Sequence, residues 1–260
     1  MVEKVNPSHP DKLADRIAGA IVDLAYKKEK EPKVAVELLL GHGVCHIIME
    51  TNVKFNKREI AKIVMRIAGK MKLDLVILPQ ESNLSHNQDG RFRCGDNGIF
   101  RGIPLSNEEI RLSKIARHIY KEFPYDGKYI LDDKKLIICQ SHDKDNALMK
   151  EYPDAIVNPL GYWTGGTDVD TGAVNRKLGS DQGRCITGGG LHGKDLSKAD
   201  ISLNIYAFLK AQREHKEVNI SCAIGDEIVD GHSYDEIVDI AKNYIDDIGG
   251  FEKLAEWGLY

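Results

Sequence analysis

Residues 188–200 read GGGLHGKDLSKAD: three consecutive glycines, then Lys194, Lys198 and Asp200 at the start of a helical pattern. Glycines let backbone N–H groups approach an anion without a Cβ in the way. Lysine ammoniums and a helix N-terminus add positive potential at the same place, so the stretch reads as a cradle for phosphate. From Gly188 to Lys194 it fits the spacing GxxxxGK, but Asp195 stands where a phosphate-binding P-loop needs a Ser or Thr hydroxyl for magnesium. An ordinary P-loop is therefore not expected, and the rest of the chain has to decide.

Working outward, ten of the 24 glycines lie between 161 and 193, interleaved with Asp168, Asp170, Arg176, Lys177, Asp181 and Arg184. This reads as a site-building region and not as core. A helix is predicted over 197–214, a strand over 218–224, and a last helix with Ser233 and Glu236 as a capping box. Upstream, Leu13, Ile17, Ile21 and Leu24 predict a helix over 11–28 with Asp11 and Asp15 in its first turn, where the helix dipole favours negative charge. Runs 33–40 and 44–51, split by Gly41-His42-Gly43, predict a hairpin carrying Glu37 and Glu50. A helix over 57–71 and a strand over 73–78 complete a first α+β unit. The polar segment 79–92 has no period and reads as a lid-like loop. Ser106 and Glu109 cap a helix reaching about 123, followed by strands 128–131 and 136–140. The expectation is thus α+β, with three similar units at 1–82, 93–157 and 158–260.

At 260 residues and a net charge of −4, the chain can bury a substantial core and lacks the basic balance of a duplex-binding protein. No nucleic acid partner is expected. The five cysteines show no CxxC spacing, there is no apolar run long enough for a bilayer and no N-terminal signal region, so a soluble cytoplasmic protein with reduced thiols is expected, with no membrane partner. No Ser-His-Asp elbow, HExxH or GxGxxG occurs. What remains is a set for handling polyphosphate with a metal: His9 and Asp11 at a helix start, lysines beside glycines, Arg176, and scattered aspartates.

Taken in order, His9-Pro10-Asp11-Lys12, the Glu37 and Glu50 pair, Gly95-Asp96-Asn97-Gly98, Asn158-Pro159-x-Gly161 leading to Gly165-Gly166, Asp170 to Arg176-Lys177, residues 188–200 and the closing SCAIG at 221–225 resemble the S-adenosylmethionine synthetases (methionine adenosyltransferases). The resemblance covers roughly residues 5–225. It implies three α+β domains related by pseudo-threefold symmetry, and a homodimer, with pairing of dimers as an open option, whose active sites lie between subunits. It implies synthesis of S-adenosylmethionine from ATP and L-methionine, with release and hydrolysis of triphosphate. It also implies Mg²⁺, two per site, and K⁺.

Carried over by position, the resemblance gives catalytic roles to His9, Lys128, Arg176 and Lys194. ATP would meet these four together with Asp126, Lys177, Asp170, and Tyr162 or Trp163. Methionine would meet Glu50, Gln80, Asp96, Asp170 and Lys198. Asp11 and Asp200 would hold Mg²⁺ and Glu37 would hold K⁺. The chain departs from the family in being short, in carrying Ser8 where a glycine usually precedes HPDK, and in lacking one residue both between NPxG and GG and between Gly190 and Lys194. Two rival readings are a non-catalytic nucleotide-binding regulator and a triphosphate hydrolase without the methionine step. Lys12 reads as a solvated helix lysine, His42 and His46 as hairpin residues, Asp181 as a turn acid, and His192 has no assigned role.

Overall fold

The computed structural model describes residues 1–82, 98–184 and 190–260. Asp96, Gly188 and Gly189 fall outside them, as does most of the expected lid at 79–92. Within the described residues the elements run β1 (Val2–Val5), α1 (Pro10–Lys28), β2 (Val34–Gly41), β3 (Val44–Thr51), α2 (Lys57–Ala68) and β4 (Lys72–Leu78). Then come β5 (Gly98–Gly102), α3 (Asn107–Glu122), β6 (Gly127–Asp132), β7 (Lys135–Gln140), α4 (Ala147–Glu151) and β8 (Ile156–Val157). The last stretch holds β9 (Thr171–Ala173), α5 (Leu178–Gln182), α6 (Ala199–Glu214), β10 (Val218–Cys222), β11 (Ile228–Val229), β12 (His232–Ser233), α7 (Tyr234–Ile248) and α8 (Phe251–Trp257). This is a mixed α+β protein.

Local chemistry sets the helix ends. Ser106 with Glu109 and Ser233 with Glu236 form the expected capping boxes, and Asn56 with Glu59 forms a third. The α2 pattern extends to Met71, but the helix stops at Ala68 because Gly69 takes φ 80°, a backbone that ends the helix. β2 and β3 form the expected antiparallel hairpin, and β4 adds parallel to β3.

Sheet membership does not follow chain order. One sheet runs β9-β2-β3-β4 and a second runs β1-β6-β7-β8, both with two antiparallel pairings and then a parallel one. Apart from the small β11–β12 pair, a third sheet joins β5 with β10 antiparallel. In each case the edge strand comes from another part of the chain: β1 precedes α1 yet joins β6, β5 precedes α3 yet joins β10, and β9 precedes α6 yet joins β2. The ranges 1–82, 93–157 and 158–260 therefore do not map one-to-one onto sheets.

The largest core cluster packs Ile17 and Ile21 of α1, Val36, Leu38 and Leu40 of β2, Ile47 and Met49 of β3, Ile60 and Val64 of α2, Ile205 of α6 and Leu254 of α8. Each such side chain, fully buried, contributes roughly 1.5–3 kcal/mol. The opposite face of this sheet is open. Its outward rows read Glu37–Ile48–Val76 and Ala35–Glu50–Leu78, and Leu39, Ile48, Val76 and Leu78 are all exposed.

Candidate functional site

The site begins at the N-terminus of α1. His9 is its N-cap, and Nδ1 of the ring accepts the Asp11 backbone N–H at 3.1 Å. An accepting Nδ1 places the ring proton on Nε2. Burial, helped by the nearby Lys177 charge, lowers the His9 pKa to about 4, so the ring is neutral at neutral pH. Asp11 is 2% exposed. Its Oδ1 accepts the Ala173 N–H at 2.9 Å, its Oδ2 is paired with the Lys177 ammonium, and Arg176 Nε lies 3.7 Å from Oδ1. β9 can lie this close because Gly172 has no side chain: a Cβ there would sit 2.1 Å from the Pro10 carbonyl.

Asp126, just before β6, accepts the Gly166 N–H at 3.1 Å. Burial pushes its pKa up to about 6, and Asp170 adds to the rise. Asp170 accepts its own neighbour's N–H, from Thr171, at 2.7 Å. Lys128 on β6 pairs with Glu3 at 2.9 Å, and its charge reaches His9. Of the two aromatic candidates, Trp163 donates its Nε1–H to Asn158 at 3.1 Å, whereas the Tyr162 side chain stands 51% exposed. His9, Asp11, Asp126, Lys128, Asp170, Arg176 and Lys177 thus form one group.

A second group gathers at the other end of β2. Lys194 forms a bridge to Ala35, and its ammonium is paired with Asp200 in the first turn of α6. Lys198 caps that helix, and its pKa is lowered by burial against the opposing pull of Asp195 and Asp200, with Glu50 also in range. The first group meets β2 at Leu39–Gly41 through β9, while Lys194 meets it at Ala35. Four to six residues of strand separate them, roughly 13–20 Å. Glu37 projects from the open face of β2 between them, and Gln80 lies just beyond β4.

The glycine-rich stretch is built differently from a phosphate cradle where it is described. A Cβ on Gly190 would strike the Asn175 side chain at 2.1 Å, and the Gly193 carbonyl accepts the Val36 N–H at 2.7 Å. These two glycines let the loop close against the protein itself.

The structure also reveals a buried charge cluster absent from the sequence-derived set. Lys12 is fully buried, not solvated, and its ammonium contacts Asp181 at 2.5 Å and Asp15 at 3.5 Å. Asp181 lies in α5, also fully buried, and pairs with His192 Nε2 at 2.8 Å. The region 161–193 is therefore part core. The available signal was the i, i+3 pairing of Lys12 and Asp15 on the buried side of α1.

The sequence profile described as S-adenosylmethionine synthetase, N-terminal domain, matches residues 1–83. An S-adenosylmethionine synthase of Helicobacter pylori (strain Shi470) is 27% identical, aligning 77% of this chain with 69% of that protein. One from Salinibacter ruber is 28% identical, aligning 86% of this chain with 77% of that protein. A solved structure described as an unusual S-adenosylmethionine synthetase from Campylobacter jejuni superposes with a TM-score of 0.77 at 19% identity, over 99% of this chain and 93% of that one, a likeness of fold. The profile match puts an S-adenosylmethionine synthetase N-terminal domain at residues 1–83, and the aligned relatives to which the whole chain is similar are S-adenosylmethionine synthases.

Proposed function

We propose that the protein makes S-adenosylmethionine from ATP and L-methionine by attack of the methionine sulfur on C5′ of ATP. The triphosphate leaves intact and is then hydrolysed to phosphate and pyrophosphate. The observation that carries this reading is the pairing of each candidate metal carboxylate with a lysine: Asp11 with Lys177, and Asp200 with Lys194. Such pairs store opposite charges at fixed places. With magnesium triphosphate bound, Asp11 and Asp200 would hold the cation and Lys177 and Lys194 the phosphates.

The donor chemistry fits Mg²⁺, which takes one or two carboxylates and completes its shell with waters and phosphate oxygens. Asp11 and Asp200 would hold it, and it would neutralise charge on the triphosphate. Glu37, on the open sheet face, is our candidate for K⁺ together with oxygens from a second subunit.

Methionine sulfur is a neutral nucleophile, so no base is required; alignment and stabilisation of the leaving group carry the rate. His9 donates its Nε2–H to the oxygen that leaves C5′. Lys128, Arg176, Lys177 and Lys194 grip the triphosphate. Asp126 and Tyr162 meet the adenosine, Tyr162 being preferred over Trp163 because its ring is not tied down. Glu50, Gln80, Asp96, Asp170 and Lys198 bind methionine.

The separation of the two groups along β2 favours a homodimer. A two-fold axis crossing β2 between two open sheet faces places the Asp11 group of one subunit opposite the Lys194 group of the other. Leu39, Ile48, Val76 and Leu78 would form the apolar contact. We further propose that the three sheets are related by a pseudo-threefold axis, each repeat handing its leading strand to the next, and that the enzyme works in the cytoplasm. Incubation with ATP, methionine, Mg²⁺ and K⁺, followed by mass detection of S-adenosylmethionine, tests the reading; absence of product at every condition contradicts it.

A further inference from the structure

His192 lies two residues before Lys194 and is 2% exposed. Its Nε2 is 2.8 Å from Asp181 Oδ2, which requires the ring proton on that nitrogen, and 3.8 Å from Asp15 Oδ2. The other oxygen of Asp181 takes the Lys12 ammonium. The His192 main chain is tied too: its N–H donates to Asn175 Oδ1 at 3.0 Å, and its carbonyl accepts from Asn175 Nδ2 at 3.1 Å. The Asn175 N–H in turn donates to Asp15 Oδ1 at 2.8 Å. Asn175 holds φ 62°, the left-handed region that asparagine visits more readily than most residues.

These bonds close a ring through three segments. Lys12 and Asp15 belong to α1, whose first turn carries His9 and Asp11. Asn175 immediately precedes Arg176 and Lys177. His192 anchors the loop that delivers Lys194. Each basic group assigned to the triphosphate, Lys128 excepted, is thus one or two residues from a member of the ring. Asp15 Oδ2 has no hydrogen-bond partner, and burial raises the Asp15 pKa against the pull of His192 and Lys12. The ring therefore contains one carboxylate oxygen that, among the described residues, faces the Lys12 ammonium at 3.5 Å and the His192 Nε2 at 3.8 Å, so its surroundings depend on the imidazole. An ammonium already occupies the space among Asp15, Asp181 and His192, which argues against a metal ion there.

We propose that His192 is a positioning residue: through Asp181 and Asn175 it fixes where the Arg176-Lys177 segment and the Lys194 loop stand on each subunit, the two sets of groups that face each other across the dimer, and hence the affinity of the site for a triphosphate chain. This rests on the triphosphate role assigned under Proposed function.

The test uses the full chain and inorganic tripolyphosphate with Mg²⁺, measured by titration calorimetry, so that no catalysis is needed. His192→Leu keeps apolar bulk but removes the donor; His192→Gln restores an N–H near the Nε2 position; Asn175→Ala cuts the main-chain link without touching the buried charges. With folding verified by circular dichroism, His192→Leu and Asn175→Ala are expected to weaken tripolyphosphate binding on the order of tenfold or more, since misplacement of positioning groups by about 1 Å is costly. His192→Gln is expected to stay within about threefold of wild type, and the KM for methionine to change less than that for ATP. Unchanged tripolyphosphate affinity in folded His192→Leu or, should that variant not fold, in Asn175→Ala, overturns the inference alone. Failure of the wild-type protein to bind tripolyphosphate overturns the triphosphate role itself, and the inference with it.

Discussion

The Lys177 ammonium rests on Oδ2 of Asp11, a carboxylate whose other oxygen receives the Ala173 N–H. A short strand, a helix start and a basic loop meet at this one side chain. If the pair is a resting arrangement that opens to magnesium triphosphate, Lys177→Ala should lower kcat roughly 10²-fold, as loss of a stabilising group at developing charge does. Steady-state kinetics at saturating ATP and methionine check this. Lys194→Ala should behave alike, because Lys194 and Asp200 repeat the arrangement at the far end of β2.

His9 and Asp126 should respond to acid with opposite sign. His9 is held to about 4 against an ordinary value of 6.5, so the unfolded chain binds the proton more tightly. Its contribution is complete above pH 6.5 and is lost as pH falls toward 4. Asp126 is raised to about 6 from 3.8, so the folded protein binds that proton more tightly, and stability is gained as pH falls through 6. Thermal melts from pH 7.5 to 4.5 should show a smaller acid loss in His9→Asn than in wild type. Asp126→Asn should be more stable than wild type at pH 7.5, with the advantage shrinking below pH 6.

Removing the Lys12 ammonium leaves Asp181 and Asp15 buried without their cation. Lys12→Met should therefore cost about 3–5 kcal/mol in urea unfolding, the range for breaking one partner of a buried ion pair. An exposed lysine would cost far less than 1 kcal/mol.

The open face of the first sheet should be a subunit contact. Ile48→Arg, in the middle row between Glu37 and Val76, should convert a dimer to monomer by sedimentation velocity and lower activity with it, since each subunit would then hold only half of the charged groups. A variant that stays dimeric and fully active would remove this face from the account.

Much of the architecture was legible because it is local. The α1 stripe of Ile17 and Ile21, the alternation through β2 and β3, and the serine-glutamate caps at 106 and 233 are set by neighbours within a few residues. The strand exchange was not. β1 is four residues and β9 three, too short for a period, and their partners β6 and β2 lie more than 100 residues away. Among site residues, His9, Arg176 and Lys177 all lie against Asp11. Lys12 reads in sequence as solvated, Asp181 as a turn acid and His192 as a residue without a role, because burial of a charge depends on what packs over it; here Gly258 covers the Asp181 backbone and α8 packs along α1. Gly190 misled in the other direction, since a glycine that admits Asn175 looks in sequence like one that admits phosphate.

Transfer of the adenosyl group to methionine can be read in a single turnover with stoichiometric ATP. S-adenosylmethionine, phosphate and pyrophosphate should form in a 1:1:1 ratio, about one of each per ATP consumed, with none of the three released when methionine is omitted. Phosphate release at the same rate without methionine, and no S-adenosylmethionine with it, would contradict the account.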